Sequence, residues 1–162
     1  MKVKSLKWLR ILHIMSAAIW FGGTICILAV ALMCFSSSSE AAFLITAPLI
    51  PELYRRVILP AALFIILQGL IYGFFTNWGF IKHKWVTAKW IFTILLIPCI
   101  GAGAIGQMFS LIEKVKQSGY SSQVYEGNLF LVFIILQVLI MLLMISISAL
   151  KPWKKKLPGE KI

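Results

Sequence analysis

A chain of 162 residues that is 60% hydrophobic and only 13% charged cannot enclose its own apolar mass, since a soluble domain is nearer half apolar with about a quarter of its residues charged. Its formal net charge of +11 would suit nucleic acid in a soluble protein, but most of the basic residues flank apolar runs. That placement excludes nucleic acid as a partner and points to anionic lipid headgroups, worth about 1 kcal/mol per lysine.

The first apolar run predicts a helix over about 11–34, preceded by Lys2, Lys4, Lys7 and Arg10. At 1.5 Å per residue it spans roughly 36 Å, enough to cross a bilayer. A cleaved signal peptide is the alternative, but the run is much longer than a signal core. SSSSE then ends it, and 35–56 reads as a loop outside the membrane. Pro48 and Pro51 argue against a continuous helix there, and its apolar character suggests a segment lying at the interface.

A second helix is predicted over about 57–77, with Pro60 in its first turn, where a missing N–H costs little. A tight turn, WGFIKHK, leads to a third helix over about 85–109. Pro98 is a candidate kink in it, and GAGAIG follows, suited to close approach of a neighbouring helix or to a flexible break. The polar stretch 110–128 reads as a second outer loop with a short amphipathic start. A fourth helix is predicted over about 129–150 and is stopped by KPWKKK.

The expected fold is therefore an all-α integral membrane protein, one four-helix bundle over residues 1–162. Basic residues concentrate at the N-terminus, the 82–84 turn and the C-terminus, while Glu40, Glu52, Glu113 and Glu126 fall in the opposite segments. The positive-inside rule then makes both termini cytoplasmic. Trp8, Trp78, Trp85 and Trp153 are expected to form an aromatic belt on that side. No Walker sequence, Rossmann fingerprint, HExxH or GxSxG occurs, and the chain is too short for a separate catalytic domain. Cys26, Cys34 and Cys99 form no CxxC pair. Cys26 and Cys99 are expected to pack as small hydrophobes.

Inside an apolar span every polar side chain is a site candidate. His13 lies one turn into the first helix, and Ala17, Trp20 and Thr24 follow on its face. A flat cofactor fits such a face, with the imidazole reaching its metal. A histidine bonded to a headgroup is the alternative. Lys89 lies at a similar depth in the third helix, where it either snorkels or turns inward toward an anionic ligand. Arg10 is placed to pair with an acidic group near His13. Tyr72 is positioned to donate to a ligand carboxylate. His83, the only other histidine, is the candidate second metal ligand if iron is held by two imidazoles, and is otherwise a solvated turn residue. Gln68 and Gln137 are expected to bond to each other across helices.

The segments LRILHIMSAAIWFGG, residues 9–23, and NWGFIKHKWVTAKWIF, residues 77–92, resemble the small bacterial membrane proteins of the CopD-like and DUF2269-type families. They are also distantly similar to the HemJ-type protoporphyrinogen oxidases. In the latter, a first-helix histidine and a third-helix lysine belong to a haem site, and the matching positions here are His13 and Lys89. Trp20, Gly22 and Gly23 match the aromatic-then-glycine segment after the histidine. The next stretch, TICILAVALMCF, lacks the proline–arginine and the histidine usual in that family, so the resemblance implies haem binding ahead of protoporphyrinogen oxidation.

The expectation is a haem-b protein of the bacterial inner (cytoplasmic) membrane with a redox or electron-transfer role. His13 would ligate iron, and Lys89, with Arg10, would hold a propionate. Trp20 and Tyr72 would border the porphyrin. A membrane quinone or another redox protein would be the partner. Two other classes stand beside it. A non-enzymatic accessory or assembly protein would purify colourless. Copper-ion transport would need a relay of soft ligands, which a homodimer would be one way to complete.

Overall fold

The computed structural model describes residues 3–36, 39–75, 80–81, 83–120 and 124–150, with side chains from 7 at the first end and from 127 in the last helix. Trp78, Lys82, Trp153 and the C-terminal lysines lie outside the described residues. The elements in chain order are α1 (Val3–Ser36), α2 (Glu40–Thr46), α3 (Leu49–Leu53), a first π-turn (Tyr54–Ile58) and α4 (Leu59–Phe75). They continue with α5 (Lys84–Pro98), a second π-turn (Cys99–Ile105), α6 (Gly106–Ser118) and α7 (Val124–Leu150). Among the described residues there is no strand.

Four stretches are long and apolar enough to cross a membrane: Lys7–Ser36, Glu40–Phe75, Lys84–Ser118 and Gly127–Leu150. The chain is an all-α, multi-pass membrane protein with a four-helix bundle. Its outer faces carry Ile14, Leu32, Phe64, Ile94 and Leu139 exposed, as lipid permits and water does not. An even number of crossings brings both termini to one end of the bundle, called here the terminal end.

The helices run well past the apolar cores. Residues 40–56, expected as a loop, are mostly helical. Ser39 caps α2 by accepting a hydrogen bond from the Ala42 N–H at 3.4 Å, and Glu40 lies in the first turn, where a negative charge suits the helix dipole. Pro48 is the N-cap of α3, and Pro51 falls within its opening turn. First-turn prolines forgo hydrogen bonds that the helix would not have made. Residues 110–118, also expected as a loop, continue the third helix. Met108, Leu111, Ile112 and Val115 are buried at the i, i+3, i+4, i+7 spacing of an amphipathic helix. Gly119, at φ +79°, ends it, because that backbone region favours glycine. The last helix begins at Val124, not 129.

α1 packs on α4 and α7, and α5 packs on α7. At the far end an aromatic cluster closes the bundle. Phe35 meets Phe43 at 6.3 Å and Phe130 at 6.0 Å between ring centroids. Phe43 meets Tyr120 at 5.5 Å. The Tyr120 N–H donates to the Glu40 carboxylate at 3.2 Å. At mid-depth the fully buried Gln137 ties three elements together. It accepts from the Tyr54 hydroxyl at 3.1 Å and donates to the Cys99 carbonyl at 3.3 Å. The expected Gln68–Gln137 bond is thus replaced, because Gln137 faces the two π-turns, where helical carbonyls are left to be satisfied. Cys99 is buried as expected, whereas Cys26 is exposed on the bundle surface. Cys34 is buried, with its sulfur accepting from the Thr46 hydroxyl at 3.2 Å.

The second π-turn lies close to α7, as the GAGAIG composition suggested. A Cβ at Gly103 would fall 2.6 Å from the Phe133 ring, whereas one at Gly101 meets nothing within 4 Å. Gly103→Ala is therefore expected to destabilise by about 1–3 kcal/mol through overpacking. Gly101→Ala is expected to be neutral or to gain up to about 1 kcal/mol of helix propensity. Denaturation midpoints of the two variants in detergent check the contrast, and equal shifts would contradict the packing.

Candidate functional site

Helices α1, α4, α5 and α7 line a half-open cavity of about 510 Å³ in the half of the bundle nearest the terminal end. That volume lies within the range of roughly 300–1,000 Å³ typical of cofactor and small-molecule sites. Its wall is mostly apolar, with Phe21, Ile65, Trp90, Met141 and Met144 among the lining residues. Aromatic rings lie on two glycines of α4. Trp90 of α5 covers Gly69, and Phe80, ahead of α5, lies so close over Gly73 that a Cβ there would force the ring to shift. Phe80 also packs on Phe74 and Trp90, at 5.0 and 5.6 Å between centroids.

His13 enters the cavity from α1 with Ala17 and Trp20, one and two turns further along the same face. Its imidazole sits edge-on to Tyr72, with ring centroids 5.8 Å apart and planes at 89°. Gln68 and Lys89 also stand near enough to act on it. Trp20 is 4% exposed, and its carbonyl accepts the Thr24 hydroxyl at 2.9 Å. Among the described residues, three buried polar side-chain atoms have no hydrogen-bond partner: His13 Nδ1, Trp20 Nε1 and Gln68 Oε1.

Lys89 is turned inward. Its Nζ donates to the Ser148 hydroxyl of α7 at 2.6 Å and lies 5.2 Å from the centre of the Trp85 ring. The hydroxyl and the ring face lower the cost of a cation at this depth. The hydroxyl retains acceptor and donor capacity, so Lys89 and Ser148 together present a cationic, hydrogen-bonding corner to the cavity.

Of the residues expected at a site, His13, Trp20, Tyr72 and Lys89 line this one cavity. Arg10 and His83 are not in its lining. Arg10 lies near Tyr72. The His83 ring stacks on Trp85 at 6.2 Å and 27°, and His83 is the N-cap of α5. Ser148, Trp90, Thr93, Met141 and Met144 are also in the wall, and the sequence did not assign them to it. Ser148 carried a readable signal, a hydroxyl in an otherwise apolar span. The others are ordinary span residues whose facing only the packing decides. No group of three or more His, Cys, Asp or Glu able to hold a metal ion occurs among the described residues. No family model, no curated protein and no solved structure matches the chain.

Proposed function

We propose that the chain is a membrane haem-b protein with a redox or electron-transfer role. One observation carries this reading: His13 and Lys89, far apart in sequence, converge on one cavity inside the bundle. The residues fit the group. An imidazole suits iron, a lysine with a hydroxyl suits a propionate, and Trp20, Trp85 and Trp90 offer flat apolar faces. The sealed Nδ1 of His13 leaves Nε2 as the nitrogen a ligand can reach.

In this reading His13 holds the iron. Lys89, oriented by Ser148, holds a propionate or another anionic group, with Arg10 nearby. Tyr72 braces the imidazole edge. The mostly apolar wall lowers the local dielectric and so raises the weight of each charge against it. Haem supplies one-electron chemistry, and the protein sets its position and potential. Its partner is a membrane quinone or another redox protein, with a tetrapyrrole substrate as the related role. The membrane is the bacterial cytoplasmic membrane, with both termini inside, as the distribution of Lys and Arg favours.

The test is purification in mild detergent from cells supplied with haem precursor, followed by oxidised and reduced absorption spectra. A stoichiometric Soret band is expected. Colourless protein that also fails to take up added haemin would reject the reading and leave an accessory role.

A further inference from the structure

A buried polar atom without a partner costs about 1–3 kcal/mol, and native proteins leave few of them. Two of the three found here are complementary. Gln68 Oε1 is an amide oxygen and can only accept. A neutral imidazole carries one N–H donor, on either nitrogen. Both His13 Nδ1 and Gln68 Oε1 are sealed from solvent and from the cavity. Gln68 is 5% exposed, sits on α4 one turn before Tyr72, and stands beside the imidazole. The ring also packs edge-on against Tyr72, one turn along α4 from Gln68.

We propose that Gln68 is a positioning residue for His13: its Oε1 accepts a hydrogen bond from His13 Nδ1–H, fixing the tautomer that leaves the Nε2 lone pair to the cavity. Histidines that bind metals almost always donate their second nitrogen to such a partner, which sets ring orientation and raises ligand basicity. The functional weight of the pair rests on the haem reading above. The tautomer itself belongs to the protein without haem and is measured there.

Trp20 Nε1 is the competing donor, since it too is buried and unpartnered. It lies seven residues along α1, roughly 10 Å deeper than His13, whereas Gln68 stands near enough to the imidazole to act on it. The geometry therefore favours His13.

The experiment uses full-length, haem-free protein with ¹⁵N-labelled histidine in detergent. A His83→Asn background leaves His13 as the only histidine. Spectra are taken about two pH units above the ordinary histidine value of about 6.5. A protonated Nδ1 and an unprotonated Nε2 are expected. Gln68→Leu is expected to move the proton to Nε2, the tautomer free imidazole side chains favour in water, while Gln68→Glu keeps it on Nδ1 and Trp20→Phe changes nothing. An Nε2–H signal in the wild type would overturn the proposal, and that result needs no variant to fold. So would a tautomer indifferent to Gln68→Leu, or one that shifts in Trp20→Phe alone. In haem titrations, Gln68→Leu is expected to lose about 10- to 100-fold in affinity. A Gln68-dependent tautomer in protein that never takes up haemin would remove the haem reading and leave this one. Haem-binding protein whose tautomer ignores Gln68 would do the reverse.

Discussion

His13→Ala protein is expected to purify without a Soret band while keeping its helical content in detergent. His13 is the only histidine lining the cavity, and its Nε2 is the reachable nitrogen. Alanine removes that ligand and favours the helix of α1. The fold should tolerate the loss, because the imidazole lines the cavity wall and packs edge-on against Tyr72. Absorption spectra and circular dichroism on the same sample separate loss of ligand from loss of fold. Added imidazole should restore the band by entering the space the side chain vacated. His83→Ala, outside the lining, should keep it. A His13→Ala protein that retains full absorbance would remove His13 from the site.

The second large effect is expected at Lys89. Hydrogen bonds to charged groups contribute about 1.5–3 kcal/mol, equivalent to roughly 10- to 150-fold in affinity. Lys89→Met should weaken haemin binding by that factor. It keeps the apolar stem and removes only the charge and its bond to Ser148. Haemin dimethyl ester, which lacks the propionate charge, should bind the wild type with a similar deficit and the Lys89→Met variant with no further one. That non-additivity is the signature of a direct pair. If ester and acid bind the wild type equally, Lys89 has another task, and the Ser148 corner serves only to keep a cation inside the membrane.

The four crossings were legible because lipid imposes long, uncharged apolar runs, and no packing detail can hide them. The helix ends were not legible. Pro48 and Pro51 read as breakers until the structure put them in a first turn. The polar residues of 110–118 masked an apolar stripe, Met108, Leu111, Ile112 and Val115, that was present all along. At the cavity, His13 and Lys89 were readable as polar residues that the bilayer makes expensive, and their shared depth followed from counting turns. Their neighbours did not follow. Gln68 and Gln137 look alike in sequence, yet one stands beside His13 and the other bridges Tyr54 to the Cys99 carbonyl. Which way each glutamine faces depends on helix rotation, and rotation depends on the π-turns, which leave no pattern in hydrophobicity.

Those wide turns also decide what the third span can do. In outline α5 and α6 are one rod, but a π-turn takes up one residue more than an α-turn, so side chains before and after it are out of phase by roughly 100°. The phase offset allows a single rod to serve two neighbourhoods. Lys89, Trp90 and Thr93 look into the cavity, while Met108, Leu111 and Ile112 bury themselves in the far half of the core. Deleting one residue between Cys99 and Ile105 would bring the two halves back into phase and swing Lys89 around the rod without touching any residue of the cavity wall. The direction of the cation is thus set by a phase error that the chain keeps well away from it.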